Sequence, residues 1–143
     1  SPAFLERTAR GIPTGRVLGA DVLGVNLRKL TTIDELISKS TYLKQIKENG
    51  FDTCFVLDNS PFEQAKAQVL SEKNNVTLKV YTDQPAMQFY TSEFLGPPFK
   101  AFQAVCLESQ GYVDAPNHPN FPSIMVKPNS FYENRITYQF IVS

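Results

Sequence analysis

The sequence has 143 residues, of which 42% are hydrophobic and 20% are charged. This composition is typical of one globular domain and excludes a disordered chain. Fourteen basic residues balance fourteen acidic ones, so the zero net charge does not favour binding to nucleic acid or to an anionic membrane. No apolar run approaches the roughly 18 residues of a membrane helix, and no secretory signal is expected at the start of the chain.

The two cysteines, Cys54 and Cys106, lie far apart and form no CxxC pair. Two cysteines in a chain of this length are not a disulfide framework. We therefore predict two free thiols, which favours a reducing compartment such as the cytoplasm.

The first part of the chain, residues 1–31, is punctuated by glycine and proline and predicts loops around short strands. A helical segment is expected over residues 32–49. Thr32 and Glu35 have the spacing of a capping box, and apolar residues recur on one helical face. Gly50 is expected to cap the helix, and Ser40 with Thr41 is expected to divide it into two short pieces.

From residue 51 onward the hydrophobic period is two, which is typical of strands. The predicted strands are 51–57, 68–72, 76–82, 87–91, 102–109, 124–127 and 132–142. Turns at 73–75 and 128–130 predict two hairpins, the second joining 124–127 to 132–142. Several short strands separated by turn residues predict an all-β fold, an antiparallel β-sandwich.

Three polar residues interrupt the apolar faces of these strands. Glu108 ends a face that begins at Phe102, and we expect its carboxylate to be partly desolvated and suited to act as a base. Asp52 and Gln88 each interrupt a neighbouring predicted strand. The three side chains could converge on a polyhydroxylated ligand, or each could be a residue at a strand end that faces solvent.

The only histidine, His118, lies in a proline-rich loop four residues after Asp114. One histidine and one aspartate do not match the spacing of a metal site, so a structural role for His118 is favoured and no metal is expected. A hydrolase triad is unsupported because no Gly-x-Ser-x-Gly segment accompanies the histidine. Neither a phosphate-binding loop nor a dinucleotide-binding glycine motif is found.

Four ordered motifs carry a resemblance to a known family. They are FDTCFVL at 51–57, TDQPAMQFYT at 82–91, CLESQ at 106–110 and DAPNHPNFP at 114–122. Together they resemble the C-terminal part of the galactose mutarotase (aldose 1-epimerase) family. The segments IPTG at 12–15 and NLR at 26–28 also resemble the family, so the resemblance covers nearly the whole chain.

The resemblance implies a large antiparallel β-sandwich, the mutarotase-like supersandwich. It implies an enzyme that interconverts the α and β anomers of free hexoses such as galactose or glucose, without cofactor or metal. By resemblance, Glu108 is the general base that takes the proton of the C1 hydroxyl. Asp52 and Gln88 are residues that hydrogen-bond the sugar hydroxyls.

The sequence departs from the family at several positions. Thr53 stands where a histidine is usual, Ala86 where a glycine is usual, and Ser92-Glu93 where Gly-Asn is usual; the loop at 95–101 is shorter. Family members are more than twice as long. Residues 1–143 are thus expected to be the C-terminal portion of one sandwich domain whose N-terminal portion is absent. That portion carries the acid, a histidine, so this chain alone holds the base but not the acid. The alternative is a non-catalytic sugar-binding or structural member of the family.

Overall fold

The computed structural model of the protein describes residues 1–142. They contain eight strands and two short helices: β1 (Ala3–Arg7), β2 (Pro13–Gly19), α1 (Ile33–Lys39), α2 (Thr41–Ile46), β3 (Asp52–Val56), β4 (Ala67–Ser71), β5 (Val76–Thr82), β6 (Ala86–Tyr90), β7 (Cys106–Gln110) and β8 (Ile136–Val142). Short 3-10 turns lie at Ala20–Leu23, Glu72–Asn74 and Ala115–Asn117. The predicted all-β class with one short helical region is confirmed.

The strands form two sheets. A five-stranded sheet has the order β2-β1-β3-β6-β7, and a three-stranded sheet has the order β4-β5-β8. Every pairing between the described strands is antiparallel. The β4–β5 hairpin turns where it was predicted, with Asn75 in the left-handed region at φ 50°.

The helical region is divided as predicted. The Thr32 hydroxyl accepts a hydrogen bond from the backbone N–H of Glu35 and caps α1. Ser40 ends α1 and caps α2, because its hydroxyl accepts from the N–H of Leu43. The predicted C-terminal cap at Gly50 is wrong. Lys47 ends α2 in the left-handed conformation, whereas Gly50 is required because a Cβ there would lie 2.5 Å from the Thr91 hydroxyl.

The five-stranded sheet carries a core cluster on each face. On one face, aromatic and aliphatic residues of β1 and β3 pack under the helices; the buried members are Phe4, Leu23, Leu36, Tyr42, Leu43, Phe51 and Phe55. On the other face, the segment 112–121 covers a smaller cluster of Leu5, Cys54, Ala86, Ala115 and Phe121. Burial on both faces fixes the register of these strands, since a shift by one residue would reverse every side chain.

Two strand predictions are wrong. Residues 124–127 form no strand, and β8 pairs with β5 instead of with them. These residues are exposed and lie between Pro122 and Pro128, whose rings remove backbone donors that a ladder needs. Residues 102–105 precede β7 as a turn, because Phe102 has a φ of 62° that a strand does not adopt.

The face of β8 that continues the apolar side of β5 is uncovered within the described residues. Phe140 and Val142 are 68% and 77% exposed, and Tyr138 is half exposed. The accessible surface of the chain is 9378 Å², against about 7,400 Å² expected for a compact protein of 16.1 kDa. Apolar surface that a single compact domain would bury is therefore exposed on this sheet.

Candidate active site

The predicted site residues lie on three neighbouring strands of the five-stranded sheet. Cys54 on β3 pairs with Gln88 on β6, and Gln88 pairs with Glu108 on β7. Asp52 lies two positions before Cys54 and thus on the same face of the sheet. Antiparallel pairing therefore brings the side chains of Asp52, Gln88 and Glu108 to one face.

These three side chains line a common open cleft of about 440 Å³. Four more residues complete its lining: Tyr90, Phe94, Gln110 and Val113. Tyr90 and Gln110 follow Gln88 and Glu108 by two positions, so strand alternation could have identified them. Phe94 and Val113 lie outside the strands, and their positions depend on loop conformation.

The polar groups of the cleft are connected. The Gln88 side-chain Nε2 donates a hydrogen bond of 2.6 Å to Asp52 Oδ1. The Gln88 Oε1 atom is buried and accepts no hydrogen bond within residues 1–142. Buried acceptors are normally satisfied, so this oxygen is an acceptor that lacks a donor among residues 1–142.

Glu108 does not have the environment expected from its sequence. The apolar face predicted to precede it is absent, since β7 begins only at Cys106, and Glu108 itself is exposed. The expectation of a partly desolvated carboxylate is therefore wrong for this chain. What places Glu108 in the cleft is its pairing with Gln88; Gln88 is partly buried, whereas Glu108 is exposed.

Cys54 lies in the sheet directly beside this polar group. Its side chain is 5% exposed, and burial raises the pKa of its thiol, although contacts with the Val113 backbone and the Gln110 side chain oppose that effect. The neutral thiol is the form expected at physiological pH. Both cysteines are free, as predicted.

A loop whose two ends are hydrogen-bonded to each other, residues 92–102, borders the cleft. Its two ends meet because the Ser92 carbonyl accepts a hydrogen bond of 2.9 Å from the N–H of Phe102. Ser92 and Phe102 both adopt positive φ, at 58° and 62°. The loop projects Phe94, which is 81% exposed, and the Tyr90 hydroxyl accepts a 3.0 Å hydrogen bond from the Phe94 N–H.

His118 lies outside the cleft. Its Nε2 atom is 3.1 Å from Asp114 Oδ2, and its ring centroid lies 5.1 Å from that of Phe121, with the two rings tilted by 55°. Gly15 passes close to this ring, since a Cβ at that position would lie 2.5 Å from His118 Nδ1. His118 therefore ties the loop after β7 to β2. Within residues 1–142, metal-ligating side chains do not gather in groups of three or more.

The cleft combines two carboxylates, two carboxamides and a phenol. Ionised carboxylates accept hydrogen bonds only, whereas carboxamides both donate and accept. This set suits a ligand that presents several hydroxyl groups at fixed spacing. Lysine, arginine and histidine are absent from the residues that line the cleft, and the Tyr90 phenol is the neutral acid among them.

Comparison with known proteins identifies the family. The family model of aldose 1-epimerase matches residues 2–139. The chain belongs to the aldose 1-epimerase family. The galactose mutarotase of Bos taurus is 32% identical over 99% of the chain, which spans 42% of that protein. The human galactose mutarotase is 32% identical over 92% of the chain and 39% of its own length.

A bacterial relative and a solved structure agree with this family. The aldose 1-epimerase of Escherichia coli K12 is 36% identical over 68% of the chain and 31% of its own length. The crystal structure of a GalM/aldose epimerase homologue from C. elegans matches the whole chain with a TM-score of 0.80 at 24% identity, and 44% of that structure is covered. The fold is thus that of the family, and the chain spans less than half the length of these relatives.

One departure from the family lies away from the cleft. Thr53 alternates with Asp52 and Cys54 along β3, so its side chain is on the opposite face of the sheet. Thr53 is buried there, and its hydroxyl has no hydrogen-bond partner in residues 1–142.

Among the described residues, no helix has the length and apolar character needed to cross a membrane.

Proposed function

We propose that the chain is the C-terminal portion of a single mutarotase domain, and that the whole domain interconverts the α and β anomers of free hexoses such as galactose or glucose. The observation that carries this proposal is the convergence of Asp52, Gln88 and Glu108 on one cleft. Membership of the aldose 1-epimerase family supports it. The names of relatives such as the Bos taurus galactose mutarotase point to the same substrate class.

The proposed reaction needs a base at the C1 hydroxyl and an acid at the ring oxygen. Glu108 takes the proton of the C1 hydroxyl as the bond between C1 and the ring oxygen breaks. The electron pair of that bond passes to the ring oxygen, which receives a proton from the acid. The C1–C2 bond then rotates, and the ring closes on the other face of the aldehyde while the two groups exchange roles.

Asp52 and Gln88 hold the sugar in this proposal. Asp52 Oδ1 already accepts from Gln88, so its other carboxylate oxygen is the acceptor for a sugar hydroxyl. The unsatisfied Gln88 Oε1 accepts from a second hydroxyl. Hydrogen bonds to several hydroxyls fix the ring so that C1 faces Glu108, which is the positioning that acid–base catalysis requires.

The acid belongs to the N-terminal part of the same domain in this proposal. The family resemblance supports this assignment, and so does the absence of a cationic side chain from the cleft residues. The same N-terminal part is the proposed cover of the exposed face of β8, whose Phe140 and Val142 are otherwise in contact with water. One missing segment thus accounts for both an incomplete site and an incomplete core.

The direct test is a polarimetric assay of the full-length protein. A fresh solution of α-D-galactose or α-D-glucose should reach its equilibrium rotation faster with the protein than without it, and the acceleration should depend on Glu108. Full-length protein that leaves the spontaneous rate unchanged for both sugars contradicts the proposal. A matched assay on a ketose, whose anomeric carbon carries an additional carbon substituent, measures selectivity for aldoses.

A non-catalytic sugar-binding member of the family is the alternative. The observation that favours it is that no lysine, arginine or histidine lines the cleft of residues 1–142. Titration calorimetry distinguishes the two, because the alternative gives sugar binding with no anomer interconversion.

A cytoplasmic location is also proposed, since both cysteines are free thiols and a reducing compartment keeps them so.

A further inference from the structure

Gln110 is a polar residue of the cleft that the proposed reaction does not use. It is the last residue of β7 and lies two positions after Glu108 on the same face of the sheet. Along a strand this separates the two Cα atoms by about 7 Å, so one ligand can contact both side chains. Gln110 pairs with Ala86 on β6, which is fully buried beneath Ala115 and Phe121, so Gln110 lies where this core cluster borders the cleft.

The Cys54 thiol lies beside the Gln110 side chain. The thiol is almost fully buried, and it contacts both the Gln110 carboxamide and the backbone of Val113. Cys54 also pairs with Gln88 across β3 and β6. Both Gln110 and Val113 line the cleft, so a buried thiol beside them can limit where the Gln110 carboxamide lies.

We infer that Gln110 is a further sugar-contacting residue of this site, and that Cys54 is the residue that positions it. The inference rests on the proposed function. The ligand it takes is a hydroxyl of the same hexose whose C1 hydroxyl faces Glu108. Its chemistry is that of a neutral amide, which donates to or accepts from a hydroxyl without altering the charge of the site.

The test compares variants of the full-length protein by steady-state polarimetry with galactose and glucose. Gln110→Ala should raise KM about three- to tenfold, as loss of one hydrogen bond predicts, and leave kcat within about twofold. The control Gln68→Ala replaces an exposed glutamine on β4, outside the cleft, and should leave both KM and kcat unchanged. Unaltered KM for Gln110→Ala with both sugars overturns the inference.

The role of Cys54 is tested by a double-mutant cycle. Cys54→Ala should raise KM in the wild-type background but add nothing to Gln110→Ala, because both changes remove the same contact. Cys54→Ser should have a KM between that of the wild type and that of Cys54→Ala, since a hydroxyl also hydrogen-bonds a carboxamide. If Cys54 only fills space, Cys54→Ala will lower the melting temperature and change KM equally in both backgrounds, which overturns the positioning role.

The two proposals fail in different ways. A wild-type protein without any mutarotase activity contradicts the proposed function. An active wild type with a fully active Gln110→Ala variant contradicts only the role of Gln110.

Discussion

Gln88 lies directly opposite Glu108 in the pairing of β6 with β7, and its carboxamide donates a 2.6 Å hydrogen bond to Asp52 on β3. One neutral amide therefore stands between two carboxylates. The arrangement separates two negative charges that would repel each other at shorter range. Gln88 thus lies next to both the proposed base, Glu108, and the proposed sugar-binding residue, Asp52.

In the full-length protein, Glu108→Gln should remove nearly all anomer interconversion. The amide retains the shape of the carboxylate but cannot accept the proton, so the rate should fall by roughly 100-fold or more. Polarimetry measures the rate, and calorimetry should show that sugar binding survives. The control Glu72→Gln changes an exposed residue in the β4–β5 turn and should be fully active. A near-normal rate for Glu108→Gln is incompatible with the assignment of the base.

Asp52→Ala and Gln88→Ala should each weaken sugar binding and catalysis by a smaller factor than loss of the base. Each variant removes hydrogen bonds to hydroxyls, worth roughly 0.5–3 kcal/mol apiece. Affinities for galactose and glucose measured by calorimetry test this expectation. If both variants bind the two sugars as tightly as wild type does, the sugar does not occupy the cleft in the proposed way.

Residues 1–143 expressed alone should self-associate or be poorly soluble, and should lack mutarotase activity. The reason is the uncovered apolar face of β8 and the unpaired edge of that strand. Sedimentation analysis measures the association. Co-expression with the N-terminal part should restore solubility and activity, because the two parts share one core.

The variant Phe140→Lys tests whether the exposed apolar face of β8 causes the self-association. It places a charge on the exposed face of β8 and should reduce self-association of the isolated chain, but it should destabilise the full-length protein, where that face is covered. A monomeric, active 143-residue product would instead mean that the chain is complete in itself.

Ser92→Gly should stabilise the full-length protein. Ser92 has a φ of 58°, a conformation that costs an ordinary residue roughly 1–2 kcal/mol. Glycine removes this cost but gains freedom in the unfolded chain worth roughly 0.4–1 kcal/mol, so the net gain should be about 0.5–1 kcal/mol. Denaturation curves measure it. The control Ser71→Gly, at a φ of −97°, should destabilise, and equal destabilisation by both changes argues against strain at Ser92.

The parts of the fold that follow from local pattern were predictable. Alternation along the chain placed most strands, and the Thr32 and Ser40 caps marked the helical pieces, because these features depend on neighbouring residues. The pairing of β8 with β5 was not predictable in this way, since the choice of partner depends on contacts between distant segments. The turn at Phe102 was missed because a positive φ in a non-glycine residue leaves no clear signal in the sequence.

The candidate site was likewise predictable from the sequence only in its local features. The faces occupied by Asp52, Gln88 and Glu108 follow from strand alternation, but their convergence depends on the order β3-β6-β7, which periodicity does not specify. The exposure of Glu108 was not foreseen because residues 102–105, which were predicted to extend its strand as an apolar face, form no strand. The part played by Phe94 depends on a loop whose conformation is set by the contact between Ser92 and Phe102.

That contact has an evolutionary consequence. Because the Phe102 N–H binds the Ser92 carbonyl, the loop enters and leaves the domain at nearly the same point. Residues between these two positions can be added, deleted or exchanged without moving β6 or β7, since insertions in closed surface loops cost little free energy. The sequence and length of the loop that presents Phe94 can thus vary independently of the strands on either side of it. The loop can therefore change in sequence and length while β6 and β7, which carry Gln88 and Glu108, are retained.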